Sequence, residues 1–359
     1  MELTIEKKIV EAYGFTSANI QLQQIGSGHI NRTYLLSTSD NKKYILQHIN
    51  TKVFEDPHAI ANNIEAVADY LKLHHPNFLF PVPIKTIAGD LMAKYEDEYW
   101  RLLPFIEHTI AFDTLSDPKQ AFEAAKQFGK LSRLLNHFDT SALKPTIVGF
   151  HDLSWRYEQF IEALNQTSAG LKDTAQHEIA IALRHHFILA YYQSYENRND
   201  FPDRVMHHDT KISNVLLDEA DYHGVCVIDL DTLMPGKFIS DLGDMMRTYL
   251  CAFSENEKDL EKIKIRIPYF EATIAGYLNE MSAILTSTEK ELILFAGKYM
   301  IYMQALRFLT DYLNGSIYYP TSYPTQNLDR AKNQFKLLKD LFENEKVLQD
   351  IIESHLKTS

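Results

Sequence analysis

The first third of the chain alternates apolar and polar positions in short runs, Ile20–Ile25, 31–37 and Lys43–Ile49, rich in β-branched and aromatic residues. Gly26-Ser27-Gly28-His29 and Asp40-Asn41-Lys42 separate them, which predicts two successive hairpins in a small antiparallel sheet. Over Pro57–His74 the period changes: Ile60, Ile64, Val67 and Leu71 fall on one helical face, and Pro76, Pro81 and Pro83 end the pattern. Strand-like runs return at 82–88, 91–95 and 98–103 around an Ala88-Gly89-Asp90 turn. Beyond Pro104 helical spacing dominates, with helices expected over 118–138, 155–165, 175–197, 260–285 and 290–313 and a last one from about Leu328. One stretch interrupts them: 204–209, then 214–217, a polar turn over 218–224, and 225–229 read as a loop with a small hairpin.

This organisation predicts an α+β chain with a sheet-rich N-terminal lobe, 1–103, and a mainly helical C-terminal lobe, 104–359. A length of 359 residues agrees with two lobes, because single cores tend to split beyond about 250–300 residues. The connection at 103–107 has no Gly/Ser linker. No internal repeat or low-complexity segment is visible. A formal charge of -12 argues against a broad nucleic-acid or anionic-membrane surface. Cys226 and Cys251 are spaced for neither a metal site nor a disulfide framework, so a reducing compartment is expected. The opening MELTIEKKIVEAYG has no apolar signal core, and no run reaches the roughly 18 apolar residues of a membrane span. The expectation is a cytoplasmic protein, monomer or dimer, with small-molecule partners and neither nucleic acid nor membrane.

The interrupting stretch reads MHHDTKISNVLLDEADYHGVCVIDLD, with Asp209 five positions before Asn214 and Asp229 ending the following strand. Phosphoryl transfer needs an oriented hydroxyl nucleophile and cations that neutralise the triphosphate. In that frame Asp209 accepts the hydroxyl proton, while Asn214 and Asp229 offer oxygen ligands to Mg²⁺. Asp and Asn are common in turns, so each alone carries little weight; the ordered combination carries the reading. Gly26, Ser27 and Gly28 at a hairpin turn would let backbone N–H groups approach the phosphates of ATP, although such a turn is more often only a turn.

These residues resemble the aminoglycoside phosphotransferase and choline kinase superfamily, whose loop reads H-x-D-x-x-x-x-N followed by a strand ending in I-D. The chain has His207-His208-Asp209 to Asn214, then Ile228-Asp229. GSGHINRTY, YILQHINTKVF, WRLLPFI, HHDTKISNVL, VIDLDTLMPG, DLGDMMR and RFLTDYLNGSIYY are similar to N-acetylhexosamine 1-kinases. The resemblance implies a bilobal protein-kinase-like fold and transfer of the ATP γ-phosphate to the anomeric hydroxyl of N-acetylglucosamine or N-acetylgalactosamine. It also implies that Pro104, Phe105 and Ile106 form the hinge at adenine, that His207 and Asp241 support the loop, and that His29, Asp231, Arg307, Asp311 and Tyr318 face the sugar. A helix cap competes for Asp241, a surface ion pair for Arg307 with Asp311, and a metal or turn role for Asp231. Many relatives carry a basic residue on the third strand, where this chain has Gln47. Its amide could still reach phosphate, with Glu65 the nearest helix partner.

Two other classes stand against a kinase. The His208-Asp209 pair and 15 histidines suggest a metal phosphohydrolase, but no ordered set of further His and Asp ligands accompanies them. Gln47 suggests a silent nucleotide-binding module, against which intact Asp209, Asn214 and Asp229 weigh. Within kinases, an amino alcohol, aminoglycoside or thioribose acceptor is the alternative to a sugar.

Overall fold

The computed structural model describes residues 5–25 and 31–358. Two compact units emerge: the first comprises Met1–Thr109, Phe138–Val148 and Cys226–Met234, the second Ile110–His137, Gly149–Val225 and Pro235–Ser359. The fold is α+β, with an antiparallel sheet in the N-terminal region and a large helical C-terminal part.

In the first unit, helix α1 (Ile5–Ile9) leads into β1 (Ile20–Ile25), β2 (Arg32–Thr38) and β3 (Lys43–Ile49). After α2 (Pro57–His74) come β4 (Ala93–Tyr95) and β5 (Glu98–Pro104), giving a five-stranded sheet in the order β1-β2-β3-β5-β4. Every neighbouring pair is antiparallel, and the β3–β5 register sets Gln47 opposite Arg101. Ile9, Val10, Leu36, Leu46, Ala93, Trp100 and Leu102 make the core. Helix α2 starts where Asp56 accepts the backbone N–H groups of His58 and Ala59 and Pro57 fills the first turn. It buries Ile60, Ile64, Val67 and Leu71, as their spacing predicts. The run 82–88 is not a strand: only Ile84 bridges Leu102, because Pro81 and Pro83 have no N–H to give a ladder.

The strand β6 (Thr109–Ile110) leads to the second unit, with α3 (Pro118–Leu134), α4 (Leu153–Gln166), α5 (Ala169–Thr174), α6 (Gln176–Arg184) and α7 (Phe187–Gln193). The strands β7 (Arg204–Met206), β8 (Val215–Asp218), β9 (Gly224–Val227) and β10 (Met234–Gly236) follow, then α8 (Phe238–Tyr249) and α9 (Ile267–Met281). Helices α10 (Ser287–Glu291), α11 (Ile293–Leu313), α12 (Gln326–Glu343) and α13 (Glu345–Thr358) end the chain.

Three long helices expected from periodicity are subdivided. The 175–197 pattern breaks at His185, whose ring Nδ1 and backbone N–H both reach the Ile181 carbonyl and close α6. The 260–285 pattern becomes helical only at Ile267, because Pro268 is tolerated in a first turn and not inside a helix. Ahead of α11, Thr286 and Glu289 form a capping box that makes α10 a separate turn. Helix α11 is buried almost all round. Helices α3 and α9 approach closely enough that a Cβ on Gly276 would stand 2.1 Å from the Phe122 carbonyl oxygen.

Candidate active site

In the second unit the loop after β7 is held from below by its own strand and by α8. Arg204, at the head of β7, donates from Nε and Nη2 to Glu289 at 2.8 Å each, and its fork also reaches Asn136 and the Ile284 carbonyl. The strand that delivers the loop is therefore tied to three separate elements. Asp241, in the first turn of α8, accepts the backbone N–H of His207 at 2.9 Å and of His208 at 2.7 Å. It is not the cap of that helix, since Lys237 occupies the cap position. Burial pushes the Asp241 carboxyl up to about 6, partly offset by His207 and by the two N–H groups.

One turn further along α8, Asp244 accepts the Thr210 N–H at 2.9 Å and is paired with Arg247. Burial raises the Asp244 carboxyl despite that arginine. Tyr249 donates its hydroxyl to the Thr210 carbonyl at 2.8 Å. His208 sits at φ 65, in the left-handed region that non-glycine residues seldom adopt, and its ring lies over Gly236, where a Cβ would come within 2.4 Å of it. The carboxylate of Asp241 stabilises that turn by occupying both N–H groups it exposes.

Asp209 follows this turn with its side chain 28% exposed, and Asn214 is buried at 3%. Asn214 Nδ2 donates both to the Asp209 carbonyl, at 2.8 Å, and to Asp209 Oδ2, at 2.9 Å. Lys211 Nζ reaches the same oxygen at 2.8 Å. Burial alone would raise the Asp209 carboxyl; Lys211, with help from His207 and Asn214, more than reverses it and keeps the group below its ordinary value. His207 packs its ring on Phe128 at 5.1 Å and accepts the Asp209 N–H at Nδ1, a support role for the loop.

Near this loop stands a cationic and aromatic cluster. The His151 ring lies 5.4 Å from that of His208 and stacks on Phe150 at 4.4 Å. Arg307 sits 5.0 Å above Phe150 and 5.7 Å from Tyr319, and donates to Gln304. Arg156 donates to the Phe150 carbonyl and to Gln159. Burial, then the neighbouring Arg307, lowers Arg156 to about 10. Among the described residues, no carboxylate lies in salt-bridge range of either arginine. Asp311, expected beside Arg307, faces the other way: it accepts the N–H groups of Ile317, Tyr318 and Tyr319 and the amide of Asn327. Its oxygens hold the 316–319 loop, and Tyr318 stands 55% exposed on that loop.

In the first unit, Gln47 Oε1 accepts from Arg101 Nε at 2.9 Å and Nη2 at 2.5 Å, while Gln47 Nε2 donates to Thr33. Arg101 Nη1 is ion-paired with Asp231. Asp231 belongs to a single 3-10 turn, Leu230–Thr232, and not to an extended strand, so it does not share a strand face with Asp229. Asp229 itself has φ 59. Glu65 meets Lys85 at 2.8 Å on the surface and is no partner for Gln47. Pro104, which ends β5, and Phe105 and Ile106 just beyond it are half-buried; Lys43 lies 5.0 Å over the Phe105 ring, and the Ile106 carbonyl accepts the Thr109 hydroxyl. Gly26, Ser27, Gly28 and His29 lie outside the described residues.

Sequence reasoning passed over Lys211, Asp244, Arg247, Arg101 and Arg156. Lys211 had a local signal in Asp209-Thr210-Lys211, and Asp244 and Arg247 fall at helical spacing after Asp241. The pairing of Arg101 depends on strand register, and nothing local announces it.

Comparison with known proteins gives a match between residues 21–264 and the model of the phosphotransferase enzyme family. Among solved structures, a microcompartment-associated aminopropanol kinase aligns at 16% identity and a TM-score of 0.65, covering 96% of this chain and 98% of that one. A spectinomycin phosphotransferase in complex with ADP and spectinomycin aligns at 16% and 0.62, covering 96% and 99%. The choline kinase of Cryptosporidium parvum aligns at 15% and 0.53, covering 93% and 92%. At these identities the likeness is one of fold.

Proposed function

We propose that this chain, which belongs to the phosphotransferase enzyme family, transfers the γ-phosphoryl group of ATP to the anomeric hydroxyl of N-acetylglucosamine or N-acetylgalactosamine. The observation that carries the phosphotransfer part is the Asp209 cage, a carboxylate held ionised and aimed by Lys211 and Asn214 on a loop suspended from Asp241 and Asp244. Asp209 orients the acceptor hydroxyl and takes its proton. A carboxylate of lowered basicity is adequate because the transition state is loose and asks chiefly for positioning and charge stabilisation. An anomeric hydroxyl, more acidic than an ordinary sugar alcohol, asks still less.

Asn214 spends only its amide nitrogen on Asp209, so its oxygen is available to a cation, and the Asp229 carboxylate supplies charge. Both are hard oxygen donors of the kind Mg²⁺ prefers. When bound, Mg²⁺ neutralises phosphate charge. Lys211 adds a positive charge beside Asp209. Pro104, Phe105 and Ile106 receive adenine at the end of β5, and Gly26, Ser27 and Gly28 give N–H groups to the phosphates.

The acceptor class rests on Arg307 and Arg156. Two arginines with no carboxylate in salt-bridge range among the described residues, set among Phe150, His151 and Tyr319, repel an ammonium group and suit the oxygen acceptors of sugar hydroxyls and an acetamide carbonyl. This favours a sugar over a cationic amino alcohol. Asp311 serves the acceptor site indirectly, through the 316–319 loop that carries Tyr318.

The deciding experiment offers free hexosamines, hexoses and amino alcohols with ATP and Mg²⁺, together with the methyl glycoside of N-acetylglucosamine. Free N-acetylhexosamine should give a sugar 1-phosphate labile to mild acid, and the glycoside should accept nothing. Phosphate located at C6, or equal turnover of the glycoside, would refute the anomeric reading and leave phosphotransfer standing.

A further inference from the structure

We propose that Arg101 is a positioning residue, whose buried pairing with Asp231 sets the turn that presents Asp229 to a nucleotide-bound divalent cation. The proposal rests on the phosphotransfer reading above. It concerns the place where a basic residue is missing from the third strand. Gln47 stands at that position, and the β3–β5 register puts a cation directly opposite it, on the neighbouring strand.

The geometry shows what the cation does there. The Arg101 and Asp231 side chains are each only 3% exposed, so the guanidinium has little surface left for a phosphate. Its planar fork engages two groups, with Nε and Nη2 donating to Gln47 and Nη1 ion-paired with Asp231. The second Asp231 oxygen accepts Asn31 Nδ2 at 2.7 Å, and Asn31 in turn accepts the Asn50 N–H at 3.0 Å, just beyond β3. The far end of the same turn is held by α2, where Asn63 donates to the Leu233 carbonyl at 2.9 Å. The turn Leu230–Thr232 is thus fixed from the sheet on one side and from α2 on the other.

Asp229 lies immediately before that turn in a left-handed conformation, which persists only where its surroundings over-determine it. A buried ion pair is weak evidence for stability, since apolar residues of the same volume often do as well; fixing a unique geometry is its better-attested use. The residues that build the network, Asn31, Thr33, Gln47, Asn50, Arg101 and Asp231, come from four separate stretches of sequence and converge on this one turn.

The test needs no acceptor. Binding of a fluorescent ATP analogue by the full chain is titrated with Mn²⁺, and bound Mn²⁺ is followed by electron paramagnetic resonance. The double variant Arg101→Met with Asp231→Leu removes both charges at similar volume, so that no buried charge is orphaned. It should stay folded by circular dichroism and bind metal-free nucleotide as before. The Mn²⁺ needed for half-saturation should rise about tenfold or more, the usual consequence of losing an outer partner of a metal ligand. Arg101→Lys keeps the charges balanced and serves if the double variant does not fold; a point charge cannot span both acceptors, so the Mn²⁺ requirement should rise there as well. An unchanged Mn²⁺ requirement in either folded variant overturns the positioning role and leaves the kinase reading intact. Native protein whose nucleotide binding ignores Mn²⁺ overturns both.

Discussion

Replacing Asp241 by Asn separates two contributions that usually move together, the stability of the fold and the geometry of the loop. The carboxylate is buried at 4% exposure and receives two backbone N–H groups, at 2.9 and 2.7 Å. Asn offers one oxygen and one NH₂ group, so one N–H loses its acceptor and faces another donor. A buried donor left unsatisfied costs about 1–3 kcal/mol. Against this, the amide carries no charge into the interior. The rise of the carboxyl from 3.8 to about 6 means that keeping it ionised there costs about 3 kcal/mol. The two terms nearly cancel, and the expected change in unfolding free energy at pH 8 is within about 2 kcal/mol by urea titration.

Turnover should not be spared. The strained His208 turn loses one of the two bonds that hold it, and Asp209 is the next residue; a misplacement on the order of 1 Å costs about 10²-fold. The assay pairs urea melts with steady-state kcat under saturating ATP and acceptor. A stable Asp241→Asn protein with kcat within about threefold of native would refute the idea that this carboxylate sets the Asp209 geometry, given the loss expected from misplacement. The pH dependence follows the same logic. With its folded value raised, Asp241 contributes most to stability below pH 3.8, and that contribution is lost as pH rises through about 6, while the ionised form that holds the loop prevails above it. Native kcat should therefore fall as pH drops below about 6, a step that Asp241→Asn should lack.

Asp209→Asn should retain nucleotide binding by calorimetry and lose about 10²–10⁴-fold in kcat; near-native turnover would exclude it as the base. Asn214→Ala should raise the Mg²⁺ requirement of turnover and recover at high Mg²⁺, and Asp229→Ala, which removes charge as well as a ligand, should recover less. Gly276→Ala drives a methyl group into the Phe122 carbonyl oxygen and should destabilise by about 1–3 kcal/mol in urea melts, with KM for ATP unchanged; a neutral substitution would mean that α3 and α9 can move apart freely.

How much of this was legible depended on distance along the chain. Asp209 and Asn214 are five residues apart, so their spacing in the sequence marks both, and the loop held from α8 brings the amide onto the carboxylate. The strands β1 to β3 and the face of α2 follow from local periodicity; β1, β3 and α2 keep their expected bounds and β2 is shifted by one residue, to Arg32–Thr38. Lys211 escaped although it stands two residues from Asp209; other misses were set by partners far away in sequence. Arg101 meets Gln47 across 54 positions through strand register, and a helical wheel could not show that Asp311 turns from Arg307 toward the backbone of a later loop. Asp231 lies in the Leu230–Thr232 turn because the chain leaves Asp229 in a left-handed conformation and curls at once, and no local pattern announces that curl. The breaks at His185 and Pro268 were single-residue events inside otherwise continuous apolar patterns.

The Arg204 fork has a consequence in the time domain. Amide hydrogens exchange with solvent through openings whose free energies differ from segment to segment, up to that of global unfolding. A strand anchored by one guanidinium to Glu289, Asn136 and the Ile284 carbonyl cannot lift away unless all three anchors release. The Val205 and Met206 amides should therefore be among the slowest to take up deuterium, in step with global unfolding. Arg204→Met combined with Glu289→Gln, which leaves no buried charge unpaired, frees the strand from that shared event and should speed exchange of these two amides more than that of the other protected amides.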